Sequence, residues 1–145
     1  VNVWAVASTL GAFAGALAAS GRGSAIVMAS INGYRAHPRQ VLYTASKHAA
    51  VGVMRAAALD LARRGVRVNA LAPGPVATAA LRERLRARHA AGGPAEEEAL
   101  AGYGAQTAPG RVVTEAEVAE AALFLASDAS SGMTGLVLPI EAGLG

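Results

Sequence analysis

Three short apolar runs, separated by helical patterns, constrain the fold of this chain more than any other feature. The runs extend from Ser24 to Ala29, from Val66 to Ala72 and from Gly135 to Ile140. Each is apolar along most of its length, which is typical of strands in a parallel sheet that is covered on both faces. The second run stops at Pro73-Gly74-Pro75, a strand-ending turn. We therefore predict three buried strands.

Four helices are predicted around these strands. They cover residues 3–19, 41–64 and 79–90, and a fourth begins at Thr114-Glu115-Ala116-Glu117, which has the spacing of a capping box, and extends to about Ser127. Because helix and strand alternate, the predicted fold class is α/β, a doubly wound parallel sheet with helices on its faces. With three strands, the sheet would be only part of the usual one.

The stretch at 76–113 is too long to be a simple connection between core elements, and we expect it to form a substrate lid. Its arginines and a following acidic run are typical of a solvated helical segment; they are Arg82, Arg84, Arg86 and Arg88, then Glu96, Glu97 and Glu98. Leu81 and Leu85 lie on the predicted helix at 79–90. Their apolar face is expected to cover the pocket.

The composition argues against metal, disulfide and nucleic-acid chemistry. The 145 residues include no cysteine, and the three histidines, His37, His48 and His89, are scattered along the chain. A nucleic-acid interface would need a basic stripe with interleaved aromatic residues, whereas aromatic residues make up 4% of the chain and its net charge is +3. We expect neither a metal nor a nucleic-acid partner, and we expect His37 to face solvent in its loop.

The uncharged segment from Val3 to Ser20 has to be weighed as a membrane helix. Its Gly11 and Gly15 have the spacing found between close-packed membrane helices, and its length is borderline for a span. Small residues make up much of the segment, and no basic residue precedes it. We therefore favour a buried interface helix and expect no membrane partner, with a membrane-associated fragment as an alternative.

Tyr43 and Lys47 are the strongest candidates for chemistry. They stand four residues apart near the start of the helix at 41–64, so both project from one helical face. A neighbouring cation favours the phenolate form of a phenol, which would make Tyr43 an acid or base usable near neutral pH. Lys47 is the only lysine in the chain, and arginine could not easily replace its compact charge. Ser30 follows the first predicted strand, at the sheet edge where ligands of doubly wound folds lie.

These residues belong to a larger set of motifs that resembles the short-chain dehydrogenase/reductases. Ser30 is followed by YTASK at 43–47, RVNALAPGPVAT at 67–78 and TGLVLPIEAG at 134–143, and Asn2 precedes the serine by twenty-eight residues. The resemblance covers the whole chain. It implies that residues 1–145 form the carboxyl-terminal part of a single Rossmann-like domain.

The resemblance assigns a catalytic tetrad to Asn2, Ser30, Tyr43 and Lys47. Tyr43 would exchange a proton with the substrate oxygen while hydride passes to or from nicotinamide. Ser30 would donate a hydrogen bond to the same oxygen. Lys47 would favour the ionised form of Tyr43 and hold the nicotinamide ribose, and Asn2 would position a water of the proton relay.

Cofactor contacts are implied for Tyr43, Lys47 and the loop after the second strand, at Pro73, Gly74, Val76 and Thr78. The backbone near Val76 would meet the nicotinamide carboxamide, and Thr78 would reach the phosphates. Asn69 resembles a family position that bonds neighbouring backbone, a structural role.

The chain also departs from the family pattern. Ala5 stands where glycine is frequent, and Glu141-Ala142-Gly143 replaces the usual aspartate-glycine-glycine. The glycine-rich phosphate turn and the residue that selects the adenosine ribose are not in the chain, so the cofactor is read as NAD or NADP. We expect the chain alone to be inactive.

The function implied by the resemblance is reduction of a ketone or oxidation of a secondary alcohol, in a cytoplasmic homodimer or homotetramer acting on a small molecule. The alternative, from a different class, is a non-catalytic fragment that acts only through its oligomerisation helices. Retention of all four tetrad residues favours the enzyme.

Overall fold

The computed structural model of the chain describes residues 2–145, and for Asn2 it describes the backbone alone. The helices are α1 (Asn2–Ala19), α2 (Val41–Ala62), α3 (Ala79–Ala90), α4 (Glu96–Gly104) and α5 (Glu115–Ala126). The strands are β1 (Ser24–Met28), β2 (Arg67–Pro73) and β3 (Val137–Ile140), and single 3-10 turns lie at Ile31–Gly33 and Asp128–Ser130. Each predicted strand and helix is present, with ends that differ by up to two residues.

The three strands form one parallel sheet in the order β1-β2-β3. Met28 lies opposite Leu71 in the register of β1 and β2, and Leu71 lies opposite Leu138 in that of β2 and β3. The structure confirms the predicted α/β class with a partial parallel sheet. Because the strands are parallel, the segments that follow β1, β2 and β3 all emerge at the same edge.

Helices α1 and α2 cover the sheet with small and medium apolar side chains. Met54 and Ala58 of α2 pack with Val68 and Ala70 of β2, and Leu10 of α1 joins the same cluster. All of these residues are buried. This packing fixes α2 against β2, so the position of the first turn of α2 depends on the core.

Asn69 of β2 holds the segment that precedes β3 through hydrogen bonds inside the core. Its side chain is 0% exposed, its Nδ2 donates to the carbonyl of Met133 at 2.9 Å, and its Oδ1 accepts from the backbone N–H of Leu136 at 3.0 Å. A buried amide without these partners would cost about 1–3 kcal/mol. The predicted backbone-bonding role of Asn69 is confirmed.

Helices α3 and α4 form a small unit of their own between β2 and α5. Leu81 and Leu85 of α3 are buried against Leu100 of α4, and Arg82 bonds Glu96 at 2.6 Å. That hydrogen bond is the main reason that the pKa of Glu96 is lowered. The apolar face of α3 therefore packs against α4 at these leucines, and their expected place over the substrate pocket stays a prediction.

The capping box predicted at the start of α5 is confirmed. Thr114 Oγ1 accepts from the N–H of Glu117, and the Glu117 carboxylate accepts from the N–H of Thr114 at 2.8 Å. Arg111 also binds this carboxylate, at 2.6 Å. The hydrogen bonds from Arg111 and then from Thr114 lower the pKa of Glu117 to about 2. The end of the segment 76–113 is thereby joined to α5.

Helix α1 contains the segment that we weighed as a membrane helix. Among the described residues, no helix combines the length and the apolar character needed to cross a bilayer.

Candidate active site at the carboxyl edge of the sheet

Ser30 stands where β1 gives way to the first 3-10 turn. Ala29 still pairs with β2, through its N–H to the carbonyl of Leu71 at 2.8 Å, and Ser30 is extended and caps the turn. The Ser30 Oγ accepts from the N–H of Asn32 at 3.2 Å. Because Oγ acts as an acceptor in this bond, its own O–H remains available to donate. Ser30 is half-buried, at the edge where the sequence places it.

Gly33 brings the 3-10 turn into direct contact with α2. A Cβ added at Gly33 would lie 2.8 Å from Val51 Cγ2 and 3.2 Å from the carbonyl oxygen of Lys47. Real Cβ atoms do not approach other atoms closer than about 3.0 Å, so only glycine fits here without a shift. The absence of a side chain thus sets the distance between the Ser30 segment and α2.

Tyr43 and Lys47 lie one turn apart on α2, as predicted. Lys47 Nζ donates to the carbonyl of Met28, the last residue of β1, at 3.1 Å. The same nitrogen lies 5.8 Å from the centroid of the Tyr43 ring, within the range of a cation–π contact. Tyr43 is 44% exposed. The ammonium is therefore held between the end of β1 and the phenol ring, and the phenol is accessible.

Asn32 connects the Ser30 segment to the first turn of α2. Its Nδ2 donates to Gln40 Oε1 at 2.9 Å and to Thr44 Oγ1 at 3.0 Å. Sequence reasoning did not single out Asn32. The only signal was an amide two residues after a strand-end serine, and nothing in the sequence identified the two partners of that amide.

The loop after β2 is held from two directions. The N–H of Gly74 donates to the carbonyl of Ile140 at 3.0 Å, and Val76 forms a parallel bridge with Val113. A Cβ at Gly74 would lie 3.0 Å from Glu141 Cβ. Thr78 Oγ1 caps α3 by accepting from the N–H of Leu81 at 3.1 Å. The loop expected to contact the cofactor is thus fixed at the same edge as Ser30.

The carboxyl-terminal segment reaches the loop that follows Ser30. The Arg35 Nη1 donates to the carbonyl of Leu144 at 2.9 Å, and Arg35 stacks on Tyr34 with its Cζ 5.9 Å from the ring centroid. Burial, and then the charge of Glu141, raise the pKa of Tyr34. Ala142 has a positive φ of 54°, the conformation that glycine adopts without strain. The hydrogen bond between Arg35 and Leu144 places the carboxyl-terminal segment beside the site, on the side of β3.

His37 differs from the sequence-based expectation. It is half-buried, and its Nδ1 is buried without a hydrogen-bond partner among the described residues. The expectation of a solvent-facing histidine was wrong for this nitrogen, which is buried.

The remaining predicted residues can be placed only in part. Asn2 begins α1, but its side chain lies outside the described part of the structure, so its predicted role stays a prediction.

Within the described residues, no group of three or more His, Asp or Glu side chains comes together as a metal site.

Comparison with known proteins identifies the family of this arrangement. The family model described as enoyl-(acyl carrier protein) reductase matches residues 1–145. The chain is 35% identical over 144 residues to dehydrogenase/reductase SDR family member 6 of Danio rerio, covering 99% of this chain and 57% of that protein. This chain belongs to the short-chain dehydrogenase/reductase family.

Two solved structures show how closely this short-chain dehydrogenase/reductase chain follows the fold. Carveol dehydrogenase of Mycobacterium avium, in complex with NAD, is 31% identical with a TM-score of 0.88, over 99% of this chain and 53% of that one. An actinorhodin polyketide ketoreductase with NADPH is 33% identical with a TM-score of 0.80, over 90% of this chain and 50% of that one. The chain thus spans about half the length of the relatives that it matches.

The close contact at Gly33 yields a prediction with a matched control in this reductase-family chain. Gly33→Ala should lower the free energy of unfolding by about 1–3 kcal/mol, because the new methyl group displaces Val51 or the backbone of α2. The control Gly52→Ala lies in α2, where an added Cβ meets nothing within 4 Å. It should raise stability by about 0.5–1 kcal/mol. Urea unfolding measures both, and equal effects of the two substitutions would contradict the packing argument.

Proposed function

We propose that this chain supplies the catalytic side of an NAD(P)-dependent oxidoreductase that reduces a ketone or oxidises a secondary alcohol. The single observation that carries the proposal is the placement of Lys47. Its ammonium is hydrogen-bonded to the last carbonyl of β1 and lies beside the Tyr43 ring. Ser30 follows that carbonyl by two residues. A cation, a phenol and a hydroxyl thus gather at the sheet edge where ligands of this fold class lie.

In the direction of reduction, the Tyr43 hydroxyl donates a proton to the substrate oxygen, and in the direction of oxidation the phenolate accepts it. The exposure of Tyr43 gives the substrate access to this oxygen. Lys47 places a positive charge 5.8 Å from the centroid of the Tyr43 ring. A positioned acid or base of this kind contributes about 10²–10⁴-fold to a rate.

Ser30 supports the same oxygen. Because the Ser30 Oγ already accepts from the N–H of Asn32, the O–H of Ser30 remains able to donate to a ligand. A donor aimed at the oxygen on which charge develops stabilises the transition state. Asn2 is proposed to position a water that passes protons toward Lys47.

The residues present fit a nicotinamide cofactor. Lys47 has three N–H donors, of which Met28 takes one, so two remain for ribose hydroxyls. Thr78 uses its oxygen as an acceptor in the α3 cap and would keep its O–H for a phosphate, while Pro73, Gly74 and Val76 would border the nicotinamide. When bound, NAD or NADP supplies or accepts the hydride. Relatives solved with NAD or NADPH support this choice of cofactor.

The segment 76–113 is proposed to act as the substrate lid. Helices α3 and α4 have their own small core at Leu81, Leu85 and Leu100. The unit is connected to the site through the bridge of Val76 and Val113. It can therefore border a small carbonyl or alcohol substrate without losing its own packing. A cytoplasmic location accompanies this proposal.

The competing function is a non-catalytic fragment that acts only through its oligomerisation helices. The Lys47 contact with Met28 and the accessible Tyr43 favour catalysis, because an assembly module has no need of either. By the complete enzyme we mean this chain joined to the part of its longer relatives that it does not cover.

In the complete enzyme, Tyr43→Phe should reduce turnover by at least about 100-fold while nucleotide still binds, because the ring stays and the proton is lost. Lys47→Arg should also fail, since the planar guanidinium cannot replace the compact ammonium against Met28. Steady-state rates and cofactor titrations measure these effects. Activity of Tyr43→Phe within about tenfold of wild type, worth ~1.4 kcal/mol in the barrier, would remove Tyr43 from the mechanism.

The chain alone should not bind nicotinamide dinucleotide tightly or turn over substrate. Residues 2–145 form the three strands β1, β2 and β3, and within them no strand is followed by the combination of glycine-rich turn and helix amino terminus that holds a pyrophosphate. Strand β1 is also an outermost strand of the sheet, so the backbone groups on its outer side can pair with another strand. Fluorescence titration with NADH and NADPH tests this directly. A dissociation constant of about 10 μM or tighter, roughly 7 kcal/mol of binding, would contradict it.

The complete enzyme is proposed to be a homodimer or homotetramer through α1 and α2. These two helices expose large apolar side chains, with Trp4 78%, Phe13 59%, Leu42 86% and Leu59 79% exposed. Exposed apolar faces of this size are typical of association surfaces. Light scattering at micromolar concentration tests the proposal, and a monodisperse monomer would contradict it.

A further inference from the structure

Asn32 makes contacts that none of the proposed catalytic roles explains. Its side chain is 4% exposed. The Nδ2 atom uses both hydrogens, one to Gln40 Oε1 at 2.9 Å and one to Thr44 Oγ1 at 3.0 Å. Both acceptors belong to the start of α2, so the amide connects the turn after β1 with that helix at two points.

This connection extends from Ser30 to the residue beside Tyr43, and Ser30 and Tyr43 are the two residues proposed to bind the substrate oxygen. On one side, the backbone N–H of Asn32 donates to Ser30 Oγ at 3.2 Å. On the other side, its side chain holds Thr44, the residue directly after Tyr43. One residue therefore contacts the serine hydroxyl and the neighbour of the tyrosine at the same time.

The first turn of α2 depends on such an external contact. Gln40 is the N-cap residue of α2, and it makes no side-chain cap hydrogen bond. The turn has no acidic residue either, so neither of the usual devices for a helix start is present. The Gln40 side chain is instead engaged by Asn32. Without Asn32, the turn that carries Tyr43 would be free to fray.

Deeper in α2, other contacts already fix the helix. Lys47 is anchored on Met28, and Gly33 abuts Val51 and the Lys47 backbone. The spacing between Tyr43 and Lys47 is set by the helix itself. These contacts do not fix the position of the first turn of α2 relative to Ser30.

We propose that Asn32 is a positioning residue for the reaction proposed above, holding the first turn of α2 so that the Tyr43 hydroxyl and the Ser30 hydroxyl meet the same substrate oxygen. The inference rests on the proposed function. Asn32 acts through Thr44 and Gln40 and does not itself touch the substrate. Its loss therefore affects the chemical step and leaves cofactor binding intact, because Lys47 stays anchored on Met28.

The test uses the complete enzyme with Asn32→Ala and a matched pair at its partner, Thr44→Val and Thr44→Ser. Asn32→Ala should lower kcat by about 10–100-fold, since small misplacements of catalytic groups have effects of this size. Thr44→Val, which loses the acceptor at constant volume, should lower kcat by about 3–10-fold, and Thr44→Ser, which keeps the hydroxyl, should stay within about twofold of wild type.

Three further readouts separate positioning from a general loss of structure. The dissociation constant of NADPH or NADH should stay within about threefold of wild type in all three variants, and KM should change less than kcat. The double variant Asn32→Ala/Thr44→Val should be no slower than Asn32→Ala by more than about twofold, because both changes break the same contact.

The outcomes are distinguishable from failure of the proposed function. If Tyr43→Phe inactivates the enzyme but Asn32→Ala and Thr44→Val leave kcat unchanged, the positioning role is overturned and the function stands. If Tyr43→Phe stays active, both are overturned. Should Asn32→Ala fail to fold, the Thr44 pair decides: equal losses in Thr44→Val and Thr44→Ser, or a parallel loss of cofactor binding, would overturn the inference.

Discussion

The hydrogen bond from the Lys47 ammonium to the carbonyl of Met28 is the contact on which the site depends. It joins the only lysine in the sequence to the last residue of β1. The bond is possible because Gly33 lets the intervening turn approach α2 with no side chain between them. Parallel pairing of β1 with β2 then brings the loop after β2 to the same edge. Catalytic and cofactor-binding candidates thus share one rigid frame.

Helices α3 and α4 depend less on this frame than the site residues do. Helices α3 and α4 satisfy their apolar faces against one another at Leu85 and Leu100, and Arg111 and Glu117 connect the end of the lid segment to α5. Because α3 and α4 have a small core of their own, their packing does not depend on β2 or α2.

Sequence reasoning recovered the features that depend on local pattern. The strands, the capping box at Thr114 and the one-turn spacing of Tyr43 and Lys47 all follow from periodicity and short-range geometry. It could not recover contacts between distant side chains. The bonds of Asn32, the pairing of α3 with α4 and the buried Nδ1 of His37 depend on how separate elements meet, and a single sequence carries no direct signal of such meetings.

We propose that, at the edge formed by Ser30, Tyr43 and Lys47, hydride is exchanged with the carbonyl carbon of the substrate and a proton is exchanged with its oxygen. The most direct test of this proposal is a single turnover of the complete enzyme with a ketone and NADH or NADPH deuterated at the transferring C4 position, followed by mass spectrometry of the product. The account predicts an alcohol with deuterium on the carbinol carbon in the wild type, and no such product from Tyr43→Phe. An alcohol without deuterium, or labelled product from both proteins at equal rates, would contradict it.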